Sequence, residues 1–159
     1  MKLYLAGPDV FRPDAAAWAA RVQELCRGAG HEAMIPLDDE APATAAAIYR
    51  SNLQRIAAAD AVLANLNPFR GSDPDSGTCV EIGYALALGK PVIGYADDLR
   101  PMRERLGASA QSRDAAGWRV ENFGLALNLM LAVPVRLEQG GIEAALRALG
   151  EPSRQAAPA

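Results

Sequence analysis

Three carboxylates stand close together in the stretch DPDSGTCVEIGYALALG, residues 73–89: Asp73, Asp75 and Glu81. Between Asp75 and Lys90, Glu81 is the only formal charge. The stretch reads as a helix launched from a loop, with Asp75 or Ser76 capping its first turn and Glu81 about one and a half turns inside. The helical neighbours of Glu81, at offsets of three, four and seven, are Gly77, Thr78, Tyr84, Ala85 and Leu88, and none of them can pair its charge. A helical glutamate ordinarily marks a solvated face, yet such a face recurs every three or four residues. Here it does not recur, so the stripe reads as the wall of a cleft. An ionised carboxylate there must reach solvent, hydrogen-bond donors or a ligand.

Other chemistries lack their residues. There is no G-x-x-x-x-G-K-[ST] phosphate loop, and the glycines after the first strand do not form G-x-G-x-x-G. The single histidine, His31, lies between a helix end and a strand with no second ligand in reach of it, so no metal site is expected. A serine nucleophile would need a base, and His31 has no reason to meet Ser72 or Ser76. Carboxylates beside a cleft, with neither metal nor phosphate loop, suit chemistry at an anomeric carbon. One carboxylate attacks C1 of a sugar and forms a glycosyl ester, while another acid or a nearby polar group handles the leaving group. No cofactor is expected.

The elements that must position these groups alternate in type. Apolar runs suited to buried strands appear at residues 3–6, 33–35, 61–66 and 92–95, each bounded by Gly, Pro or Asp. A first helix should start with Asp14 as N-cap, carry Trp18, Val22 and Leu25 inward, and stop at Gly28 or Gly30. A second should place Ala45, Ile48, Tyr49, Asn52, Leu53 and Ile56 on one face. The third is the opening stretch. This order predicts a doubly wound (flavodoxin- or Rossmann-like) α/β domain, a mostly parallel sheet with helices on both faces. In such sheets ligands bind outside the carboxyl ends of the strands, so the loops after residues 6, 35, 66 and 95 are where chemistry is expected. Residues 97–121 are left without an assignment. Residues 122–137 turn apolar again, and 141–149 read as a final amphipathic helix. One domain is expected over residues 1–150, with 151–159 a flexible tail.

The net charge of −3 argues against a nucleic-acid surface, which needs clustered Lys and Arg. The two cysteines, Cys26 and Cys79, lie in apolar helical patterns and form no disulfide framework. The N-terminus is too short for a signal peptide's apolar region, and no run of about 18 apolar residues occurs. A cytoplasmic protein without a membrane span is expected.

At this point the chain resembles the nucleoside 2-deoxyribosyltransferase family. The matching pieces are Tyr4-Leu5-Ala6-Gly7-Pro8 with Phe11, then DAVLANLNPFRGSDPDSGTCVEIGYALALGKPVIGY from Asp60, then NFGLALNLML ending at Leu131. The resemblance implies that Glu81 is the nucleophile attacking C1′ of a 2′-deoxynucleoside, and that Tyr4 positions its carboxylate. It implies that Asp75 lies in the sugar and base pocket, and that Gly7, Phe11 and Phe69 bind substrate. Asn128 resembles the asparagine that a neighbouring subunit inserts to bind the 5′-hydroxyl, with Met130 lining the same wall; the expected partner is thus a second copy of the chain in a homo-oligomer. Some members carry an Asp on the second helix that assists base protonation, and here that position holds Asn52. An amide is no general acid, although it can hydrogen-bond a base, so Asp75 or water is left for the proton.

The implied reaction is ping-pong transfer of a 2-deoxyribosyl group between nucleobases with net retention. Its substrates would be 2′-deoxynucleosides and free bases. One alternative is a 2′-deoxynucleoside 5′-monophosphate N-glycosidase, which uses water as acceptor and needs phosphate donors such as Arg12, Arg70, Ser72 and Ser76. Another is a nucleoside- or nucleotide-sensing module without catalysis. The apolar segment 125–135 fits an oligomer interface and equally a buried helix.

Overall fold

The computed structural model describes residues 1–37 and 44–151. Its sheet contains β1 (Lys2–Ala6), β2 (Glu32–Met34), β3 (Ala61–Asn65), β4 (Val92–Ala96) and β5 (Arg136–Gln139), in the spatial order β2-β1-β3-β4-β5. Every pairing is parallel: Leu3 lies opposite Ala33 and Ala61, Val62 opposite Val92, and Ile93 opposite Arg136. Parallel neighbours need crossovers. These are supplied by α1 (Ala15–Gly28), α2 (Ala45–Ala58), α3 (Ser76–Ala87) and the short helices α4 (Met102–Arg105) and α5 (Leu129–Ala132), with α6 (Ile142–Leu149) following β5. The order is the flavodoxin-like one, and its switch point lies between β1 and β3.

Period-two alternation along the strands builds a core on each face. Leu3, Leu5, Leu63, Ile93 and Tyr95 meet Trp18, Val22 and Cys26 of α1 and Ile142, Ala145 and Ala148 of α6. Tyr4, Ala6, Val62, Ala64 and Val92 meet Ile56 of α2, Ile82 and Ala85 of α3, and Leu127 and Val135. A register slip of one residue would exchange the two sets, so the pattern pins the register. Gly94 belongs to this second face: a Cβ there would collide with Leu66 and stand 3.1 Å from both Leu137 and Val135. The bare backbone is what lets these side chains close over β4.

The four strands expected from the sequence are present, β2 one residue early. The fifth, β5, is an addition, and its side chains alternate Arg136, Leu137, Glu138, Gln139 without an apolar run. Asp14 does occupy the N-cap of α1 but makes no capping hydrogen bond, because its carboxylate takes Arg12 at 2.9 and 3.2 Å instead. On α2 the apolar face buries progressively toward its C-terminus: Ile56 is fully buried, whereas Tyr49 is 59% exposed. Residues 97–121 contain α4 and a turn-rich loop with one antiparallel bridge, Arg113 to Arg119. The expected flexible tail lies, beyond Glu151, outside the described residues. Among the described residues no helix is long and apolar enough to cross a membrane.

Candidate active site

Tyr4 sits in the middle of β1, fully buried on the face covered by α2 and α3. Its hydroxyl donates to Glu81 Oε1 at 2.6 Å, so the charge that lacked a partner along its own helix finds one on the adjacent strand. The amide Nδ2 of Asn52, on α2, donates to the same oxygen at 3.4 Å. Arg55, one turn further along α2, donates from Nη1 to Asn52 Oδ1 at 3.3 Å. Both donors to Glu81 thus hold Oε1, and among the described residues Oε2 takes no hydrogen bond. Anchored through one oxygen, the carboxylate has the other open for attack.

Burial pushes the Glu81 carboxyl above its ordinary value; the Tyr4 hydroxyl pulls it down, the negative charge of Asp75 raises it and Asn52 opposes that rise, leaving a net upward shift. Desolvation therefore makes Glu81 a stronger base than a surface glutamate, while two donors favour its ionised form.

Asp75 is the N-cap of α3, in preference to Ser76. Its Oδ2 accepts from the Thr78 amide at 3.0 Å and from the Thr78 hydroxyl at 3.1 Å. Capping occupies one carboxylate oxygen, and among the described residues Oδ1 takes no hydrogen bond. The cap also fixes where α3 begins, and with it the depth at which Glu81 meets Tyr4.

The loops after β1 and β3 form the rim. Gly7 leads from β1 into a single 3-10 turn, Pro8–Phe11, and a Cβ on it would come within 2.8 Å of Asn65 Cβ. Phe11 and Phe69 stack with ring centres 5.7 Å apart and planes 13° from parallel. The guanidinium of Arg70 lies 4.7 Å from the Phe69 centre and 5.4 Å from that of Phe11, within cation–π range. Beneath them runs a polar network absent from the sequence reading. Asn65 Nδ2 donates to the buried Asp9 Oδ2 at 2.7 Å, and Asn67 donates to Asn65 Oδ1 from its backbone and its amide at 3.1 and 3.0 Å. The Asp97 amide donates to Asn67 Oδ1 at 3.0 Å. These bonds tie together the carboxyl ends of β1, β3 and β4. The available signal was position: Asp9, Asn65 and Asn67 all fall at strand ends next to the switch point. Arg55 was missed as well.

Asn128 and Met130 are not joined to this cluster within the chain. Asn128 caps α5 through Oδ1, accepting from the Met130 amide at 3.0 Å, and donates from Nδ2 to Glu121 at 2.8 Å. Both residues line a cavity of about 490 Å³ with Asp73, Pro74, Cys79, Ile82, Gly83 and Leu86. Its α3 residues belong to a different face from that of Glu81, and neither Glu81 nor Tyr4 lines it. Met130 is 73% exposed. Among the described residues no group of three or more His, Cys, Asp or Glu is placed to hold a metal.

The family model for nucleoside 2-deoxyribosyltransferase matches residues 3–130, a span running from the strand that carries Tyr4 past Glu81 to Met130. The chain belongs to the nucleoside 2-deoxyribosyltransferase family. Among solved structures, a 2-deoxyribosyltransferase from Leishmania mexicana is 40% identical with a TM-score of 0.81, covering 93% of this chain and 96% of its own. A 2-deoxyribosyltransferase from Bacillus psychrosaccharolyticus is 24% identical over 60% of this chain and 72% of its own, with a TM-score of 0.49. An uncharacterized protein of Schizosaccharomyces pombe is 31% identical over 165 residues, 87% of this chain and 78% of the relative. The enzymes of the nucleoside 2-deoxyribosyltransferase family act on nucleosides and nucleobases, and the flavodoxin-like fold described above matches that of the Leishmania enzyme.

Proposed function

We propose that this protein transfers a 2-deoxyribosyl group from one nucleobase to another through a covalent ester on Glu81. The observation that supports this most directly is the anchoring of Glu81 by Tyr4 through a single carboxylate oxygen at 2.6 Å, on β1, one of the two strands that flank the switch point where doubly wound folds bind ligands. In the first half-reaction Oε2 attacks C1′. The C1′–N bond breaks as the C1′–O bond forms, and the base leaves with the bonding electrons and takes a proton from water or from Asp75 in its acid form. In the second, a ring nitrogen of the incoming base attacks C1′, Glu81 recovers its electrons, and the base gives its proton to the group that protonated the first. Two inversions give net retention.

Tyr4 orients and stabilises the carboxylate. Asp75 holds the sugar or base through the oxygen that capping leaves open. Asn52 hydrogen-bonds without acting as an acid. Gly7, Phe11 and Phe69 border the base, and Asn128 and Met130 come from a neighbouring copy in a homo-oligomer, closing the pocket against water. This assignment of Asn128 is supported by its separation from the Glu81 cluster in its own chain. The substrates are 2′-deoxynucleosides and free bases in the cytoplasm, with no cofactor. Hydrolysis of a 5′-monophosphate is less well supported, because two candidate phosphate donors are already engaged: Arg12 with Asp14 at 2.9 Å and Ser72 with Asp73 at 3.5 Å.

The test is incubation of the purified protein with 2′-deoxyinosine and adenine. Formation of 2′-deoxyadenosine is expected. No exchange with any base pair tried would overturn the reading, sugar release confined to the 5′-phosphate would replace it with the hydrolase, and binding without turnover would replace it with a sensor.

A further inference from the structure

The amide of Asn52 can face Glu81 in two ways. With Nδ2 forward, an N–H meets a carboxylate; turned over, a carbonyl oxygen meets it and the ionised form is disfavoured. Arg55 makes the two orientations unequal. A guanidinium has only donors, and its Nη1 reaches Asn52 Oδ1 at 3.3 Å while Asn52 Nδ2 reaches Glu81 Oε1 at 3.4 Å. Turning the amide over would set N–H against N–H on one side and oxygen against carboxylate on the other. Two attractive contacts would become two repulsive ones.

We propose that Arg55 is a positioning residue: by taking the carbonyl of Asn52 it turns the amide N–H of Asn52 onto Glu81. The inference deepens the reading of Glu81 as nucleophile and rests on it for its catalytic meaning. Asn52 and Arg55 are three apart on α2 and so share a face of that helix, which makes the relay local to one rigid element. Both bonds are partly buried, where solvent and salt screen them less than at a surface. Among the described residues, the other titratable groups turned toward Glu81 are Tyr4 from β1 and Asp75 at the head of α3.

The arrangement also limits what Asn52 offers a substrate. With its carbonyl engaged by Arg55, the amide presents its second N–H, so a base in contact with it would offer an acceptor, such as a ring nitrogen or an exocyclic oxygen. Aspartate at the same position would be drawn to Arg55 and would set a second carboxylate beside Glu81, so amide and guanidinium act as a matched pair.

The ionisation of Glu81 can be followed by carbon NMR of its side-chain carboxyl in substrate-free protein, for wild type, Arg55→Ala, Arg55→Lys, Asn52→Ala and the double alanine variant. Arg55→Ala should move the Glu81 midpoint to higher pH, and Arg55→Lys should restore most of the difference. In the Asn52→Ala background, Arg55→Ala should change nothing further. In base exchange, Arg55→Ala should lower kcat/KM about 2- to 10-fold below the acid limb, less than a short charge-assisted hydrogen bond would give because the two contacts are long, at 3.3 and 3.4 Å. An equal shift with and without Asn52 would overturn the relay, since Arg55 would then act as a bare charge; so would an unmoved midpoint. Because the titration needs no substrate, its result is separable from the reaction. Absence of exchange with the titration as described would defeat the transferase reading alone, and exchange with an unmoved midpoint would defeat the relay alone.

Discussion

Replacing Tyr4 by phenylalanine isolates the bond on which the proposed nucleophile depends. The ring stays, so the fully buried site on β1 keeps its packing and loses only the hydroxyl that donates to Glu81 at 2.6 Å. A hydrogen bond to a charged group contributes about 1.5–3 kcal/mol. That bond favours the ionised carboxyl and opposes the upward push of burial. Removing it moves the Glu81 titration to higher pH, and the acid limb of kcat/KM for base exchange moves with it. Below the limb, where the rate follows the ionised fraction, kcat/KM should fall roughly 10- to 100-fold. On the plateau above both limbs, where the rate no longer follows the ionised fraction, only orientation is lost and the fall should be smaller. The assay is exchange of 2′-deoxyinosine with adenine, with products separated chromatographically at a series of pH values. A fall of equal size at every pH, with the limb in place, would refute the reasoning and leave Tyr4 a packing residue.

Three further outcomes follow from the same geometry. The folded Glu81 carboxyl lies above its unfolded value of 4.5, so the folded state holds the proton longer, and stability falls as pH rises through that window and stays reduced above it. Glu81→Gln should therefore melt at a higher temperature than wild type at pH 7, with the gap closing as pH falls toward 4.5 and base exchange abolished; a lower melting temperature at pH 7 would contradict this. At the head of α3, Asp75→Ala should cost about 1 kcal/mol by urea titration while Asp75→Ser stays within a few tenths, because serine still caps. Both should lose at least about 10-fold in activity, and a fully active serine variant would reduce Asp75 to a cap. Mixing inactive Glu81→Ala and Asn128→Ala proteins under conditions that exchange subunits should restore activity, since some sites would combine an intact Glu81 with an intact neighbouring Asn128; no recovery despite confirmed mixing would remove the shared site.

The sequence contained the anomaly of Glu81 but not its solution. Periodicity places Glu81 on a helix with no partner three, four or seven residues away, and that much is local information. Its partners Tyr4 and Asn52 lie 77 and 29 residues away, and no local pattern states that β1 and α2 converge on α3. The cap was readable to within one residue because Asp and Ser both satisfy its chemistry, and only coordinates show which oxygen takes the Thr78 amide. Buried strands announce themselves as apolar runs; β5 does not, because it forms one end of the sheet order and three of its residues, Arg136, Glu138 and Gln139, are polar. Arg136 is spent on Glu138 and on the Ala148 carbonyl at the end of α6, contacts that only the folded chain creates. The rim network of Asp9, Asn65 and Asn67 escaped for the same reason, since each residue alone is an ordinary turn former.

The central claim is a covalent bond between Glu81 and C1′. Mass spectrometry of the proteolysed enzyme, acid-quenched during turnover of 2′-deoxyinosine, tests it most directly. The account predicts a deoxyribosyl adduct on the peptide containing Glu81, formed before the acceptor base is added and discharged when adenine is supplied. Exchange that proceeds with an adduct on another residue, or with an inverted anomeric product, would contradict it.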